Sequence, residues 1–156
     1  MDSAAEPSDP TDLVERFASF PGRLAEAARA ADGQPVPAGE WTPELVVRHL
    51  IAVEGEVWRA RLAELAAGGE PRWSWVEPEP ALAFPDASLD DVLDVLAGLR
   101  EGTVGFLRVF DLDDVGWDRA GVHATYGRLD VAGLLRLAID HDEEHLAGLL
   151  ASGGPP

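Results

Sequence analysis

Two histidines four residues apart near the end of the chain have the clearest potential for chemistry. His141 and His145 lie in a strongly apolar segment whose hydrophobic residues recur with helical spacing. One helical turn separates them, so both imidazoles leave the same face of the helix. That face is the apolar one, formed by Val131, Leu134, Ala138, His141, His145 and Leu149. Imidazole nitrogens facing a core need partners, which a divalent metal supplies. The alternative is a pair of core histidines satisfied by carboxylates or water.

A third histidine, His49, lies on a second predicted helix and extends the metal hypothesis. It follows Pro43 by six residues, which is about 9 Å along a helix axis. His145 precedes Leu150 by five residues, or about 8 Å. If these two helices pack antiparallel, all three histidines lie at one level of the bundle. Three imidazoles on one side of an ion leave positions open for water and substrate, as in catalytic sites. Taken alone, His49 could equally be an ordinary histidine near a helix end.

Several carboxylates are candidates for orienting the histidines, because a ligating imidazole donates its second N–H to a carboxylate or carbonyl. These candidates are Asp142, Glu144, Glu54 and Glu56. On so acidic a chain, each could equally lie on a solvated face. Residues 141–145 also fit the H-x-x-E-H pattern of a peptidase class, but the chain ends too soon after them to supply the distant glutamate ligand that such enzymes need.

His123 precedes the last helix and is the remaining histidine. It could line the site and move a proton there, since an imidazole titrates near neutral pH. A histidine on a surface loop is the alternative. The tryptophans could wall a pocket or belong to the core; they are Trp41, Trp58, Trp73, Trp75 and Trp117.

The composition limits the classes of function. A chain of 156 residues suits one domain with a single core. Its formal net charge of −17 would repel nucleic acid and anionic lipid, so we expect neither as a partner. No apolar run approaches the length of a membrane span, and the acidic start does not resemble a secretory signal. The absence of cysteine excludes disulfides and thiolate ligands and fits a cytoplasmic location.

The hydrophobic pattern predicts a flexible tail over residues 1–10 and a single helical domain over residues 11–152. The first helix covers residues 11–31, with Pro21-Gly22 expected to kink or break it. Thr42 caps the second helix, which ends near Gly68. Ser88 caps the third, with Asp91 placed for a capping box. The last helix starts at Leu129.

Two connections separate these helices. Residues 70–87 contain four prolines, which exclude a regular helix, and residues 111–127 form a second loop. No segment alternates with a period of two, so the sequence predicts no sheet. Four helices with a long connection between helices two and three indicate an all-α four-helix bundle.

The residues that carry the candidate chemistry resemble a known family. Residues 41–50 (WTPELVVRHL) resemble the second-helix signature of the DinB/YfiT-like metalloenzyme superfamily. Residues 141–146 (HDEEHL) resemble its last-helix signature, and residues 123–127 the stretch before that helix. The resemblance covers the chain after its tail, and the two histidine motifs together in this order are fairly specific.

The resemblance implies an up-down-down-up bundle and a divalent metal, zinc or nickel, held by His49, His141 and His145. It also implies homodimers. Family members with known activities are mostly transferases or isomerases that use bacillithiol, mycothiol or glutathione, and some are hydrolases. We therefore expect a metal-dependent transferase or isomerase that acts on a small molecule with an external thiol such as mycothiol. A metal-dependent hydrolase and a non-catalytic metal- or ligand-binding bundle are the alternatives.

Overall fold

The structure, a computed structural model, describes residues 9–81, 84–112 and 114–153. Its helices form a four-helix bundle with a small sheet beside it. The α-helices are α1 (Pro10–Ala31), α2 (Pro43–Val53), α3 (Ala60–Ala66), α4 (Leu89–Phe106) and α5 (Val131–Gly153). A π-helical turn, Glu54–Arg59, joins α2 and α3 into one continuous rod. α1 packs against α4 and α5, and α2 packs against α4. Within the described ranges, no helix is both long enough and apolar enough to cross a bilayer.

Local sequence accounts for the helix starts, and two predicted caps are confirmed. Thr42 Oγ1 accepts a hydrogen bond of 3.3 Å from Leu45 N. Ser88 and Asp91 form the complete capping box, with side-chain-to-backbone distances of 3.1 and 3.0 Å. Each cap satisfies backbone N–H groups that have no partner inside the helix. The two caps therefore determine where α2 and α4, the second and third long helical segments of the bundle, begin.

Of the kink or break expected at Pro21-Gly22, the break is wrong, since α1 continues through these residues. A proline inside a helix removes one backbone hydrogen bond. Burial of the flanking side chains of Phe17, Phe20 and Leu24 compensates for that loss. Tertiary packing therefore overrides the local cost of the proline.

The prediction that the chain has no sheet is also wrong. The strands are β1 (Arg72–Trp73), β2 (Ala120–His123) and β3 (Gly127–Asp130). β1 pairs with β2 in parallel and β2 with β3 in antiparallel order. Strands of two and four residues are too short to show alternation. Distant backbone hydrogen bonds hold them, for example Ala124 N to Trp73 O at 2.7 Å.

The sheet changes the start of the last helix. Leu129, which the sequence assigned to that helix, belongs to β3, and α5 begins at Val131. Asp130 Oδ1 accepts a 2.8 Å hydrogen bond from Gly133 N at this junction. The strand-to-helix junction thereby connects the sheet directly to the helix that carries His141 and His145.

The π-helical turn is a second feature that hydrophobic periodicity did not predict. Such a turn admits one extra residue and rotates the residues that follow. Glu54 and Trp58 lie in the turn and Arg61 in the next one, and all three are buried. The turn thus directs two charged side chains and an indole towards the interior.

Candidate metal centre

The structure brings His49, His141 and His145 together in one cluster. The ring centroids of His141 and His145 are 4.7 Å apart, and that of His49 lies 5.6 Å and 4.8 Å from them. Glu77, from the connection after β1, joins the cluster. One ligand atom from each of the four residues lies within 4.8 Å of the others. Two ligands about 2.1 Å from one ion on opposite sides would be about 4.2 Å apart, so small side-chain rotations would let one ion contact the three histidines with the Glu77 carboxylate beside it.

Arg48 holds the proline-rich connection against α2. Its guanidinium donates hydrogen bonds to Ala81 O at 3.1 Å and Phe84 O at 2.9 Å, and Ala81 N donates to Arg48 O at 2.9 Å. The next residue, His49, contacts Pro78 O at 2.9 Å from Nδ1. These contacts place Glu77 beside the histidines, although no helix or strand carries it.

The contacts of His49 show why the cluster fits a cation. A carbonyl oxygen only accepts, so Nδ1 carries a hydrogen, and in the neutral ring Nε2 has a lone pair. That lone pair lies 3.1 Å from Glu77 Oε2, another acceptor. Neither His49 Nε2 nor His141 Nδ1 has a hydrogen-bond partner among the described residues. A divalent cation bound at His49 Nε2 would take up this lone pair and offset the negative charge of Glu77.

The protonation of the cluster favours a metal as well. Burial lowers the pKa of His141 to about 3, and the neighbouring His145 and His49 add to this effect. Burial and His49 also lower the pKa of His145, against the opposing effect of Glu77 and Glu144. At neutral pH these imidazoles are uncharged, so a metal need not displace protons from them.

The carboxylates expected behind the histidines do something else. Glu54 and Asp142 are buried, and both bind Arg100 from α4, at 2.8 Å and 3.0 Å. Glu56 is exposed, and Glu144 lies in the wall of a cavity described below. The group that orients His49 is instead the backbone carbonyl of Pro78.

Arg100 connects all four rods of the bundle. Besides Glu54 of the second rod and Asp142 of α5, it donates a 2.7 Å hydrogen bond to Phe17 O of α1. Its Cζ lies 3.7 Å from the centroid of the Phe17 ring. Burial disfavours the charged guanidinium, but Asp142 and Glu54 outweigh burial, so the pKa of Arg100 is raised. Burial also raises the pKa of Asp142, to about 7, against the opposing effect of Arg100. A hydrogen-bonded cross-link around the Arg100 cation therefore lies in the bundle interior, one residue along α5 from His141.

A cavity of about 540 Å³ opens beside the cluster, and His141, His145 and Glu77 lie in its wall. Trp58 and Trp75 line it too, with ring centroids 5.8 and 5.2 Å from that of His141. The other tryptophans have different places. Trp41 packs on His49 at 4.8 Å, Trp73 is buried in the core, and Trp117 packs against Phe110. A volume of this size suits a small molecule.

His123 lines the same cavity and is almost completely buried. Its Nδ1 accepts hydrogen bonds from the backbone N–H groups of Thr125, at 3.0 Å, and Tyr126, at 3.4 Å. The hydrogen of the neutral ring is therefore on Nε2. Burial lowers the pKa of His123, and the nearby positive charge of Arg61 adds to this. The ring is thus better suited to donate a hydrogen bond than to carry a proton near neutral pH.

Glu77 is the residue of the cluster that sequence reasoning missed. It lies in an irregular segment, where hydrophobic periodicity gives no information about side-chain direction. The one available signal was the following Pro78, because a proline restricts the backbone of the residue before it.

The fold and the site define a class: helical bundles that place histidines from two helices around one candidate metal position. The model of the DinB superfamily matches residues 3–149. The chain belongs to this superfamily.

Among solved structures, the chain is similar to YfiT from Bacillus subtilis, described as a probable metal-dependent hydrolase with an unusual four-helix bundle topology. The two chains are 21% identical, with a TM-score of 0.70 over 97% of this chain and 90% of YfiT. At this identity the likeness establishes the fold. No curated protein sequence matches the chain.

Proposed function

We propose that this protein is a metal-dependent hydrolase of a small molecule. The observation that carries the proposal is the cluster of His49, Glu77, His141 and His145, of which all but His49 lie in the wall of a cavity of about 540 Å³. A structural metal site is closed to solvent, whereas a catalytic site keeps a position open beside a pocket. The description of YfiT as a probable metal-dependent hydrolase supports the same reaction class.

The residues have distinct roles in this proposal. His49, His141 and His145 hold the ion, and a bound divalent ion would supply Lewis acidity and make water more acidic. Glu77 is half-exposed and faces both the histidines and the cavity, so its carboxylate takes the proton of the attacking water. The indoles of Trp58 and Trp75 exclude bulk water, and His123 donates a hydrogen bond from Nε2 to the substrate.

Zinc or nickel is the proposed ion, because imidazole ligands suit both. An up-down-down-up helix order, a homodimer and a cytoplasmic location complete the proposal, with a small molecule and neither nucleic acid nor membrane as partner.

A transferase or isomerase that uses an external thiol is the second candidate. The volume of the cavity, about 540 Å³, lies within the range of small-molecule sites. The chain has no cysteine, so the thiol would have to come from solution. Glu77 would then accept the thiol proton in place of the water proton.

The test is metal content together with turnover. The protein is loaded with zinc, nickel or cobalt, its metal content is measured by elemental analysis, and a panel of small esters and amides is assayed with and without mycothiol, bacillithiol or glutathione. Hydrolysis without thiol that disappears in the H141A/H145A variant supports the hydrolase. Turnover that requires a thiol supports the transferase. Absence of metal uptake by the wild-type protein overturns both.

A further inference from the structure

Arg61 is a buried cation without an ion pair. Its relative exposure is 6%, and among the described residues no carboxylate lies within ion-pair distance of it. Its Nη2 donates a hydrogen bond of 3.2 Å to Ser74 O. Its Nη1 has no hydrogen-bond partner in the part of the chain that the structure describes. Its Cζ lies 5.9 Å from the Trp58 ring centroid and 5.3 Å from that of Trp73. Indole faces offset only part of the cost of removing a charge from water.

Two further donors lie beside Arg61 and also lack acceptors. Trp58 Nε1 and His123 Nε2 are both buried, and neither has a hydrogen-bond partner among the described residues. Trp58 precedes Arg61 by nearly one helical turn, so both side chains leave the same side of the rod. His123 is paired in register with Trp73, the residue whose ring lies against Arg61. The carboxylates of this region are engaged: Glu64 accepts from Trp73 Nε1 at 3.0 Å, and Glu77 accepts from Trp75 Nε1 at 2.7 Å.

We propose that Arg61, the indole N–H of Trp58 and the Nε2–H of His123 together bind a carboxylate group of the small molecule on which the metal centre acts. The inference rests on the proposed function and specifies the substrate class as a carboxylic acid anion. A planar guanidinium matches a carboxylate in shape and charge, and an indole N–H and a neutral imidazole N–H supply further donors.

The position and charge of the cluster favour a monoanion that reaches the metal centre. Trp58 is shared by the two sites, because its ring lies 5.8 Å from that of His141 and 5.9 Å from the Arg61 guanidinium. Trp58 and His123 line the cavity of about 540 Å³, and Arg61 lines a second cavity of about 500 Å³, with Glu77 in the wall of both. A carboxylate bound between the three donors would place the rest of a small molecule towards the first cavity. One positive charge balances one carboxylate, whereas a phosphate dianion would also meet Asp140 and Glu144 in the cavity wall.

The experiment measures binding in the absence of the metal ligands, so that its result does not depend on turnover. Butyrate and its neutral analogue butyramide are titrated into the H141A/H145A variant by calorimetry, with inorganic phosphate as a third probe. Indole fluorescence gives a second readout, because Trp58 and Trp73 flank Arg61. Butyrate should bind about tenfold or more tightly than butyramide, since hydrogen bonds to charged groups are the strong ones.

Three further substitutions in the H141A/H145A variant test which residues cause the preference for butyrate over butyramide. R61M should abolish it, and W58F, which keeps the aromatic wall but removes the N–H, should reduce it. R72M removes an exposed arginine from β1 and should leave it unchanged. Equal affinity for butyrate and butyramide, tighter binding of phosphate, or an unchanged preference in both R61M and W58F would overturn the proposal. So would a preference seen only in the zinc-loaded wild-type protein, because the ion itself would then bind the carboxylate.

Discussion

His49 Nε2 lies 3.1 Å from Glu77 Oε2, and the other ring nitrogen, Nδ1, donates a hydrogen bond to Pro78 O, so in the neutral ring Nε2 and Oε2 are both acceptors. Two acceptors at this distance repel each other unless a positive charge lies between them. The two residues come from parts of the chain with different structure, a helix and a proline-rich connection. Their juxtaposition makes Glu77 the most informative residue for testing the site.

Replacing Glu77 with Gln should separate metal binding from turnover. The three histidines remain in E77Q, so we expect metal uptake to persist, while loss of the proton acceptor lowers turnover by a factor of about 100 or more. Metal content is measured by elemental analysis and turnover on any substrate found by the ester and amide panel. Glu79, two residues further and exposed, provides the matched control E79Q, which should change neither quantity. Loss of metal uptake in E77Q would make Glu77 a ligand instead.

Replacing Arg100 with Met should strongly destabilise the bundle. R100M leaves the carboxylates of Glu54 and Asp142 buried without their cation, and removing one member of a buried ion pair costs about 3–5 kcal/mol. The free energy of unfolding is measured by urea denaturation. The exposed pair between Arg23 and Glu143 gives the comparison, since R23M should cost about 1 kcal/mol or less. Equal effects of R100M and R23M would contradict the importance of burial.

His141 should lower the stability of the metal-free protein as the pH falls, whereas Asp142, whose pKa burial raises to about 7, should act in the opposite direction. The pKa of His141 is about 3 in the folded protein and about 6.5 in an unfolded chain. The unfolded chain therefore binds more protons between these values, and stability decreases from about pH 6.5 towards pH 3. This one group contributes a slope of up to about 1.4 kcal/mol per pH unit. H141Q does not titrate, so metal-free H141Q should lose less stability than the metal-free wild-type protein between pH 6.5 and pH 3 in urea denaturation, and an identical pH dependence would refute the assignment.

Gly121 should be intolerant of a side chain. A Cβ at this position would lie 2.7 Å from an atom of the Trp73 ring and 2.9 Å from Pro71 O. G121A should therefore destabilise the protein by about 1–3 kcal/mol through overpacking. Gly98, on α4, has no atom within 4 Å of its Cβ position, so G98A should stabilise by up to about 1 kcal/mol through helix propensity. Thermal and urea unfolding of both variants measure the two changes in stability. A G121A variant as stable as the wild-type protein would contradict the prediction.

The elements that sequence predicted well are those set by local interactions. The caps at Thr42 and Ser88 depend on residues within three positions, and the spacing of His141 and His145 depends on one helical turn. The convergence of His49 with that pair required one further assumption about helix packing.

Long-range contacts account for what the sequence did not reveal. The sheet needs backbone hydrogen bonds between segments far apart in the chain, such as Val122 N to Pro71 O. Glu77 is positioned by the contacts of Arg48 and His49 with the connection that carries it. The sequence predicted that Asp142 supports the histidines. Its observed partner, Arg100, is distant in the chain, and no local pattern indicates that contact.

The contact between Arg100 and Asp142 has a geometric consequence for the histidines. Asp142 follows His141 directly and therefore points about 100° around the axis of α5. Because Arg100 holds Asp142 from α4 and is itself held by Glu54 and Phe17 O, α5 cannot rotate about its axis without breaking a buried ion pair. The angular setting of α5, and with it the direction in which His141 and His145 face, is thus fixed by charge as well as by packing. Substitutions that only change the volume of the apolar core should therefore change that angle less than loss of the Arg100–Asp142 contact does.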